Sequence, residues 1–291
     1  VECKGANKQE AIALGIDQIR RYHRETPEML VPEQIFAVTE SLGFSYGVTW
    51  SLSRRNIFNW KDEETGNLEH KIKTFFYKER ILDYIKNYIF FAEKNEELEK
   101  YILRQHQVTA VQKVIERAHD EAKFRGLVWH TQGSGKTFTM IKIAEMLFKA
   151  SEEKPTILML IDRNELEGQL VGNLRSVGIE NVELADSIEG LNKLLKSDYR
   201  GIIVSMIHKF QGMPESINTK KTVYCLIDEA HRTTQGDLGN YLFAAIPNAT
   251  FVGFTGTPVD KTAYGRGTFK TFGVDDKQGY LHKYSIAESV E

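Results

Sequence analysis

Gly126-Leu127-Val128-Trp129-His130-Thr131-Gln132-Gly133-Ser134-Gly135-Lys136-Thr137 is the stretch on which the fold turns. Gly126 to Trp129 reads as a short buried strand. From Phe138 to Ala150, apolar residues at Met140, Ile141, Ile143, Ala144, Met146, Leu147 and Phe148 keep helical spacing. A glycine-rich loop between a strand and a helix is the setting of a phosphate cradle. Gly133 and Gly135 carry no side chains, so backbone N–H groups can close around phosphate oxygens. The helix N-terminus adds free N–H groups and its positive dipole end. Lys136 is placed to reach the outer phosphates, and the Thr137 hydroxyl to ligate Mg²⁺. His130, Thr131, Gln132, Gly133, Ser134, Gly135, Lys136 and Thr137 are therefore the candidate nucleotide-binding run. His130 stands where the general pattern has its first glycine. The competing reading is a Gly/Ser-rich turn with a surface lysine, and the downstream sequence decides between them.

Val223-Tyr224-Cys225-Leu226-Ile227 is an apolar run ending at Asp228, as a buried parallel strand does. Carboxylates at the carboxyl end of such a strand face the same crevice as the phosphate loop. Asp228 is expected to hold Mg²⁺ opposite Thr137, and Glu229 to orient and deprotonate an attacking water. Alone, the two acids read equally well as helix N-cap residues; with the phosphate loop upstream they specify nucleotide hydrolysis. A further apolar run, Thr250 to Phe254, closes in Thr255-Gly256-Thr257-Pro258. Hydroxyls of Thr255 and Thr257 beside the carboxylates can sense the γ-phosphate and pass on its loss, although a Thr/Gly/Pro turn is the plain alternative. Upstream, Arg104-Gln105-His106-Gln107 precedes a helical stretch from Val108 to Ala118. An amide there, with Arg104 nearby, can read adenine; a solvated helix cap competes.

The ordered set of Arg104-x-x-Gln107, His130 to Thr137, Ile161-Asp162-Arg163, Ser205-Met206-Ile207-His208-Lys209-Phe210, Asp228 to His231 and Thr255 to Pro258 resembles superfamily 2 helicases and translocases. More narrowly, the chain resembles the motor-nuclease (R) subunits of type I restriction–modification enzymes. These use the form Trp-His-Thr-x-Gly-Ser-Gly-Lys-Thr, so His130 supports the likeness, as do Asp162-Arg163-x-x-Leu166-x-x-Gln169 and Phe254 to Pro258. The resemblance implies an ATP-driven double-stranded DNA translocase joined to a Mg²⁺-dependent endonuclease that cuts unmodified DNA far from its recognition site. It implies methyltransferase and specificity subunits as partners. DNA-backbone contacts at Arg163, Ser205 and Lys209 follow from the family's motifs, and such contacts are blind to sequence.

At the amino end, Val1-Glu2-Cys3-Lys4 reads as a strand with Glu2 and Lys4 on one face. A carboxylate and a lysine so placed can hold Mg²⁺ and polarise a water for phosphodiester hydrolysis, although a surface ion pair is the ordinary reading of Glu-x-Lys. Within the helical stretch Lys8 to Arg24, Gln18 and Tyr22 are four apart on one face. The combination resembles the PD-(D/E)xK nuclease fold in its helicase-associated form, where Gln and Tyr contact DNA. In that family the metal-binding aspartate precedes this strand, so it is expected to lie outside the chain, as is a second motor lobe carrying an arginine finger.

The chain has 291 residues, 38 basic and 40 acidic, for a net charge of -2. Overall charge therefore does not argue for nucleic acid, which must be met by local clusters. Cys3 and Cys225 both fall in expected strands, which fits a reduced cytoplasm without disulfide frame or zinc site. No apolar run reaches the length of a membrane span. The expected organisation is a partial endonuclease domain (1–60), a helical connector (61–100) and a first RecA-like motor domain (101–291). The fold class is α/β, a P-loop parallel sheet preceded by the end of a nuclease domain. Within the connector, Phe75 to Phe91 reads as an amphipathic helix. Gly265 to Gly267 and Asp275-Asp276 read as a mobile loop, and Tyr284 to Val290 as a link to a second lobe. Two other functions stay open. A DEAH-type RNA helicase lacks a use for Glu2, Lys4, Gln18 and Tyr22. A nucleotide-gated DNA-binding module without turnover has no need of an intact Lys136, Thr137, Asp228 and Glu229.

Overall fold

The computed structural model describes residues 10–40, 43–51, 53, 56–61, 67–94, 97–162, 164–233, 237–262 and 265–290. The chain divides into two compact units, Val1–Gln105 and His106–Glu291. Glu2 and Lys4, like Arg163, lie outside the described residues.

In the first unit, helix α1 (Ala11–Glu25) packs on an antiparallel sheet of β1 (Ile35–Glu40), β2 (Gly43–Val48) and β3 (Phe58–Asn59). The close approach is made at Gly15, where an added Cβ would lie 2.4 Å from Val38 Cγ1. Aromatic rings fill the interior: Tyr46, Trp60, Phe75 and Tyr84 meet with centroids 5.0 to 6.5 Å apart. Helices α2 (Leu68–Phe75) and α3 (Lys78–Asp83) follow, then a π-turn at Tyr84–Tyr88. The expected helix to Phe91 and charged connector are corrected here. Ile89–Lys94 (β4) and Glu97–Ile102 (β5) form an antiparallel hairpin, with Ile89 opposite Ile102 and Phe90 stacked on Tyr101 at 5.5 Å. A β-branched and aromatic segment that alternates with charge suits a strand pair better than a helix. Residues 101–105, expected to open the motor domain, group with this unit because Tyr101 and Ile102 are hairpin residues.

The second unit is α/β. After α4 (Gln105–Ala118) come β6 (Arg125–His130), α5 (Lys136–Ala150), β7 (Thr156–Ile161), α6 (Asn164–Ser176), β8 (Val182–Leu184), α7 (Ile188–Lys196) and β9 (Gly201–Met206). Then follow β10 (Val223–Ile227), α8 (Leu238–Ala245), β11 (Thr250–Thr255), a two-stranded turn of β12 (Lys261–Thr262) and β13 (Gly265–Arg266), α9 (Thr268–Phe272), β14 (His282–Tyr284) and α10 (Ile286–Val290). Seven strands make one parallel sheet in the order β14-β6-β11-β10-β7-β9-β8. All six residues of β7, β9 and β11 are buried, as parallel strands covered on both faces must be.

This order decides where the chemistry falls. β6, β11 and β10 are neighbours, and the phosphate loop, Thr255 and Asp228 leave their carboxyl ends. Three segments far apart in sequence therefore meet at one edge of the sheet. Two expectations for the final stretch are corrected. Asp275 and Asp276 are anchored: Asp275 accepts from the backbone N–H groups of Phe124 and Arg125, both at 2.8 Å, and Asp276 pairs with buried Arg117 at 2.6 Å. Buried cations and N–H groups need such partners, and these two acids supply them. Tyr284 is not the start of a link but the end of a strand in the main sheet.

Candidate nucleotide site

The loop between β6 and α5 has the backbone that its glycines permit. Gly133 and Gly135 sit at φ 78° and 84°, a region costly for residues with a Cβ. An added Cβ on Gly135 would also lie 2.6 Å from Gln107 Nε2. Gly135 caps α5 without any side-chain acceptor, so the first N–H groups of the helix are open to an anion. Ser134 is buried and its hydroxyl has no hydrogen-bond partner among the described residues. Thr137 is exposed at the helix start. A glycine-lined cradle, a helix start without a side-chain cap and an orphaned buried hydroxyl fit a phosphate chain.

Lys136 reaches back across the loop. Its Nζ lies 3.5 Å from the His130 carbonyl and 4.0 Å from Glu229 Oε1. Both contacts are long, so the ammonium stands between loop and carboxylate without being consumed by either. The turn carrying the acids is held by the main chain: Asp228 N–H donates to Leu160 O (2.8 Å), and Ala230 N–H to Phe254 O (3.0 Å). Glu229 has φ 46°, unusual for a side chain of its size, and its N–H donates to Asp228 Oδ1 at 3.0 Å. That strain projects the carboxylate out beside Lys136, where Glu229 is 38% exposed. Burial, reinforced by the neighbouring Glu229 charge, raises the Asp228 carboxyl above its ordinary range. A carboxylate in that position is stabilised by a cation. Asp228 and Thr137 are the oxygens that suit Mg²⁺, which prefers hard ligands.

The sensor segment lies against both. His231 Nδ1 is 2.9 Å from Thr255 Oγ1 and 3.4 Å from Glu229 Oε2, and Thr257 N–H donates to Thr255 Oγ1 at 3.1 Å. A Cβ on Gly256 would stand 3.2 Å from Gln132 N. Thr255 is itself fully buried, so its hydroxyl links His231 to the Thr257 N–H beneath the site while Gly256 packs against the phosphate loop. Arg232, which follows His231, pairs with Asp162, the residue after β7.

Other sequence expectations fare differently. Gln107 is buried, and its Nε2 donates to Gly135 O at 2.9 Å and Thr139 Oγ1 at 3.3 Å. In this arrangement the amide braces the loop instead of facing a base. Arg104 belongs to the first unit, where its guanidinium lies 4.8 Å from the Phe58 ring centroid. Lys209 is buried, donating to Glu167 Oε1 at 2.8 Å and Ala185 O at 2.7 Å; a lysine so committed does not meet a DNA phosphate. Ser205 is fully buried in β9. Both turn inward because the motif crosses from a core strand into a short buried turn. Gln18 and Tyr22 are half-buried on one face of α1, two of whose arginines pair locally (Arg20–Asp17 and Arg21–Glu25, each 3.6 Å).

Sequence reading missed a cluster under the loop. His130 Nε2 is 2.7 Å from His282 Nδ1, and His106 Nε2 is 3.0 Å from Ser134 O. Only a lone His-x-Tyr in β14 signalled it. Burial, with His282, His106 and Lys136 adding to it, drives the His130 imidazole down to about 2. Burial, helped by Lys113 and opposed by Glu288, lowers His282 to about 4. Folded-state values below the unfolded value of 6.5 mean that the unfolded chain binds more protons. Stability is then present above pH 6.5 and is lost as pH falls toward 4. Between about pH 7.5 and pH 5 each histidine should cost roughly 2 kcal/mol. His282→Asn should therefore lose less stability over that interval than wild type, measured by urea unfolding at each pH. Parallel curves would show that the pair does not stay neutral.

A phosphate cradle, a lysine facing a strained glutamate, and a half-buried aspartate at the carboxyl end of central strand β10 define a P-loop nucleotide hydrolase lobe. A SWI2/SNF2 ATPase model matches residues 106–291, which is the whole of the second unit. The chain belongs to the SWI2/SNF2 ATPase family. It is also similar to the putative type I restriction enzyme MjaVIIIP endonuclease subunit of Methanocaldococcus jannaschii, with 32% identity over 98% of this chain and 31% of the relative. The type I restriction enzyme HindI endonuclease subunit of Haemophilus influenzae is 28% identical over 100% of this chain and 30% of that one. The chain thus spans about a third of the length of these curated relatives. Among solved structures, a nuclease-deletion mutant of the Type ISP restriction-modification enzyme LlaGI in complex with a DNA substrate mimic covers 65% of this chain and 20% of its own, at TM-score 0.44 and 18% identity. Among the described residues, no helix is long and apolar enough to cross a membrane.

Proposed function

We propose that this chain is part of the endonuclease subunit of a type I restriction enzyme: an ATP-dependent double-stranded DNA translocase joined to a Mg²⁺-dependent nuclease. The motor reading is carried by Lys136 standing 4.0 Å from Glu229 across an open phosphate cradle. The restriction reading draws on relatives named as such subunits along nearly the whole chain.

In this reading the uncapped N-terminus of α5 and the loop N–H groups bind the β- and γ-phosphates of ATP, and Lys136 moves toward the γ-phosphate as it gives up its distant hold on Glu229. Thr137 and Asp228 would hold Mg²⁺, which would supply charge neutralisation at the phosphate oxygens. Glu229 accepts the proton of the attacking water. Loss of the γ-phosphate alters the Glu229–His231–Thr255 contacts, and Thr257 follows through its N–H bond to Thr255. Glu2 and Lys4 supply the nuclease, and Gln18 and Tyr22 its DNA contacts. Arg163 remains the backbone contact of the motor, and Arg104 its adenine-side residue. The partners are duplex DNA and the methyltransferase and specificity subunits, in the cytoplasm. The nuclease, connector and motor roles are assigned to 1–60, 61–100 and 101–291, with residues 101–105 grouping in compactness with the first unit.

The test uses the complete subunit assembled with its partners on unmethylated supercoiled plasmid, with Mg²⁺ and ATP. Lys4→Ala should abolish cutting while leaving DNA-stimulated ATP turnover within about twofold. Normal cutting by that variant would remove the nuclease half of the proposal. ATP turnover indifferent to duplex DNA would remove the motor half.

A further inference from the structure

Resting on the nucleotide-motor reading above, we infer that β14 is a strap that positions the phosphate loop, with His106, His282 and Tyr284 as its positioning residues. The strand is three residues long, and its backbone runs beside β6 with His282 opposite Val128 and Tyr284 opposite His130. Alternation puts His282 and Tyr284 on one face and Lys283 on the other, where the Lys283 ammonium lies 4.6 Å from the Trp129 ring centroid.

The strap touches both ends of the loop. At the near end, Thr131 N–H donates to Tyr284 O at 3.0 Å. At the far end, Ser134 O accepts from His106 Nε2 at 3.0 Å; a carbonyl only accepts, so His106 carries its proton there. The His106 and Tyr284 rings then lie on one another, centroids 3.7 Å apart and 5° from parallel. Loop, His106 and Tyr284 thus close a ring of contacts that fixes residues 131–134 from outside. Beneath it, His130 fills the space that a glycine in its slot would leave empty, and His282 at 2.7 Å holds that ring in place. The charged groups facing this cluster are Lys136 from α5, Lys113 from α4 and Glu288 from α10. Lys113 also donates to Leu281 O at 3.0 Å, tying the strand's entry to α4.

A loop held this way presents its N–H groups in one arrangement, and a displacement of an ångström costs phosphate contacts. The effect should appear in nucleotide binding and not in the chemical step. In the full chain, Tyr284→Leu removes the ring stack but keeps the backbone bond, and Tyr284→Phe keeps both. We expect the KM for ATP to rise about tenfold in Tyr284→Leu with kcat within about threefold, and Tyr284→Phe to match wild type. His106→Ala, on a half-exposed side chain, should show the same split. Binding of a fluorescent ATP analogue is measured alongside, with folding checked by circular dichroism. If wild type binds no nucleotide, the motor reading itself fails. If wild type binds and both variants bind equally well, the strap is refuted while the motor reading stands. Unfolding of both variants would also refute it, because the residues would then serve the core and not the loop.

Discussion

Lys136→Ala should lower ATP turnover at least about 100-fold, the scale seen when a preorganised charge is removed from a transition state. The ammonium stands 3.5 Å from His130 O and 4.0 Å from Glu229, too far for either contact to carry much of the fold. Lys136 begins α5, and alanine is the better helix former. Stability should therefore hold, with the thermal midpoint within about 3 °C of wild type. Turnover is read as phosphate release in the presence of duplex DNA. Lys136→Arg should rescue little, since a planar guanidinium does not substitute for a compact ammonium in a tight cradle. A Lys136→Ala protein that hydrolyses ATP at the wild-type rate would show that the cradle is an ordinary turn. A variant that unfolds would place Lys136 among the structural residues instead.

Much of the nucleotide lobe could be read from the chain because its signals are local. Val223 to Ile227 and Thr250 to Phe254 are apolar runs that only a doubly covered parallel strand explains, and both appear as β10 and β11. What was illegible depends on contacts distant in sequence. β14 is three residues long and owes its place to pairing with β6, some 150 residues upstream, which no local pattern announces. The hairpin of β4 and β5 reads locally as a helix and a connector because its charged residues also suit a solvated helix; cross-strand pairing such as Phe90 on Tyr101 decides otherwise. Lys209 was read as a DNA contact from its motif, yet the Ala185 carbonyl and Glu167 are what it meets. Sequence showed the residue types of the site. Which of them face outward was settled by the packing of α6, β8 and β9 around them.

Glu229→Gln should separate the chemical step from binding. Glutamine has the size of glutamate and tolerates the φ of 46° no worse, so the turn and its N–H bond to Asp228 Oδ1 survive. What it lacks is the capacity to take a proton from water. Turnover should fall by about 10² to 10⁴, the range for loss of a positioned general base. Affinity for ATP should be unchanged or higher, because a negative charge has been removed from beside Lys136 and the incoming phosphates. The same change removes from Asp228 the like charge that adds to the effect of burial, so its carboxyl shifts back toward the ordinary range. Asp228→Asn should do the opposite, weakening Mg²⁺-dependent nucleotide binding itself. Single-turnover hydrolysis and binding of a fluorescent analogue, each titrated with Mg²⁺, distinguish the two. If Glu229→Gln keeps near wild-type turnover, the water is oriented by another group; His231, 3.4 Å from Glu229 and 2.9 Å from Thr255, is the side chain placed to take that role.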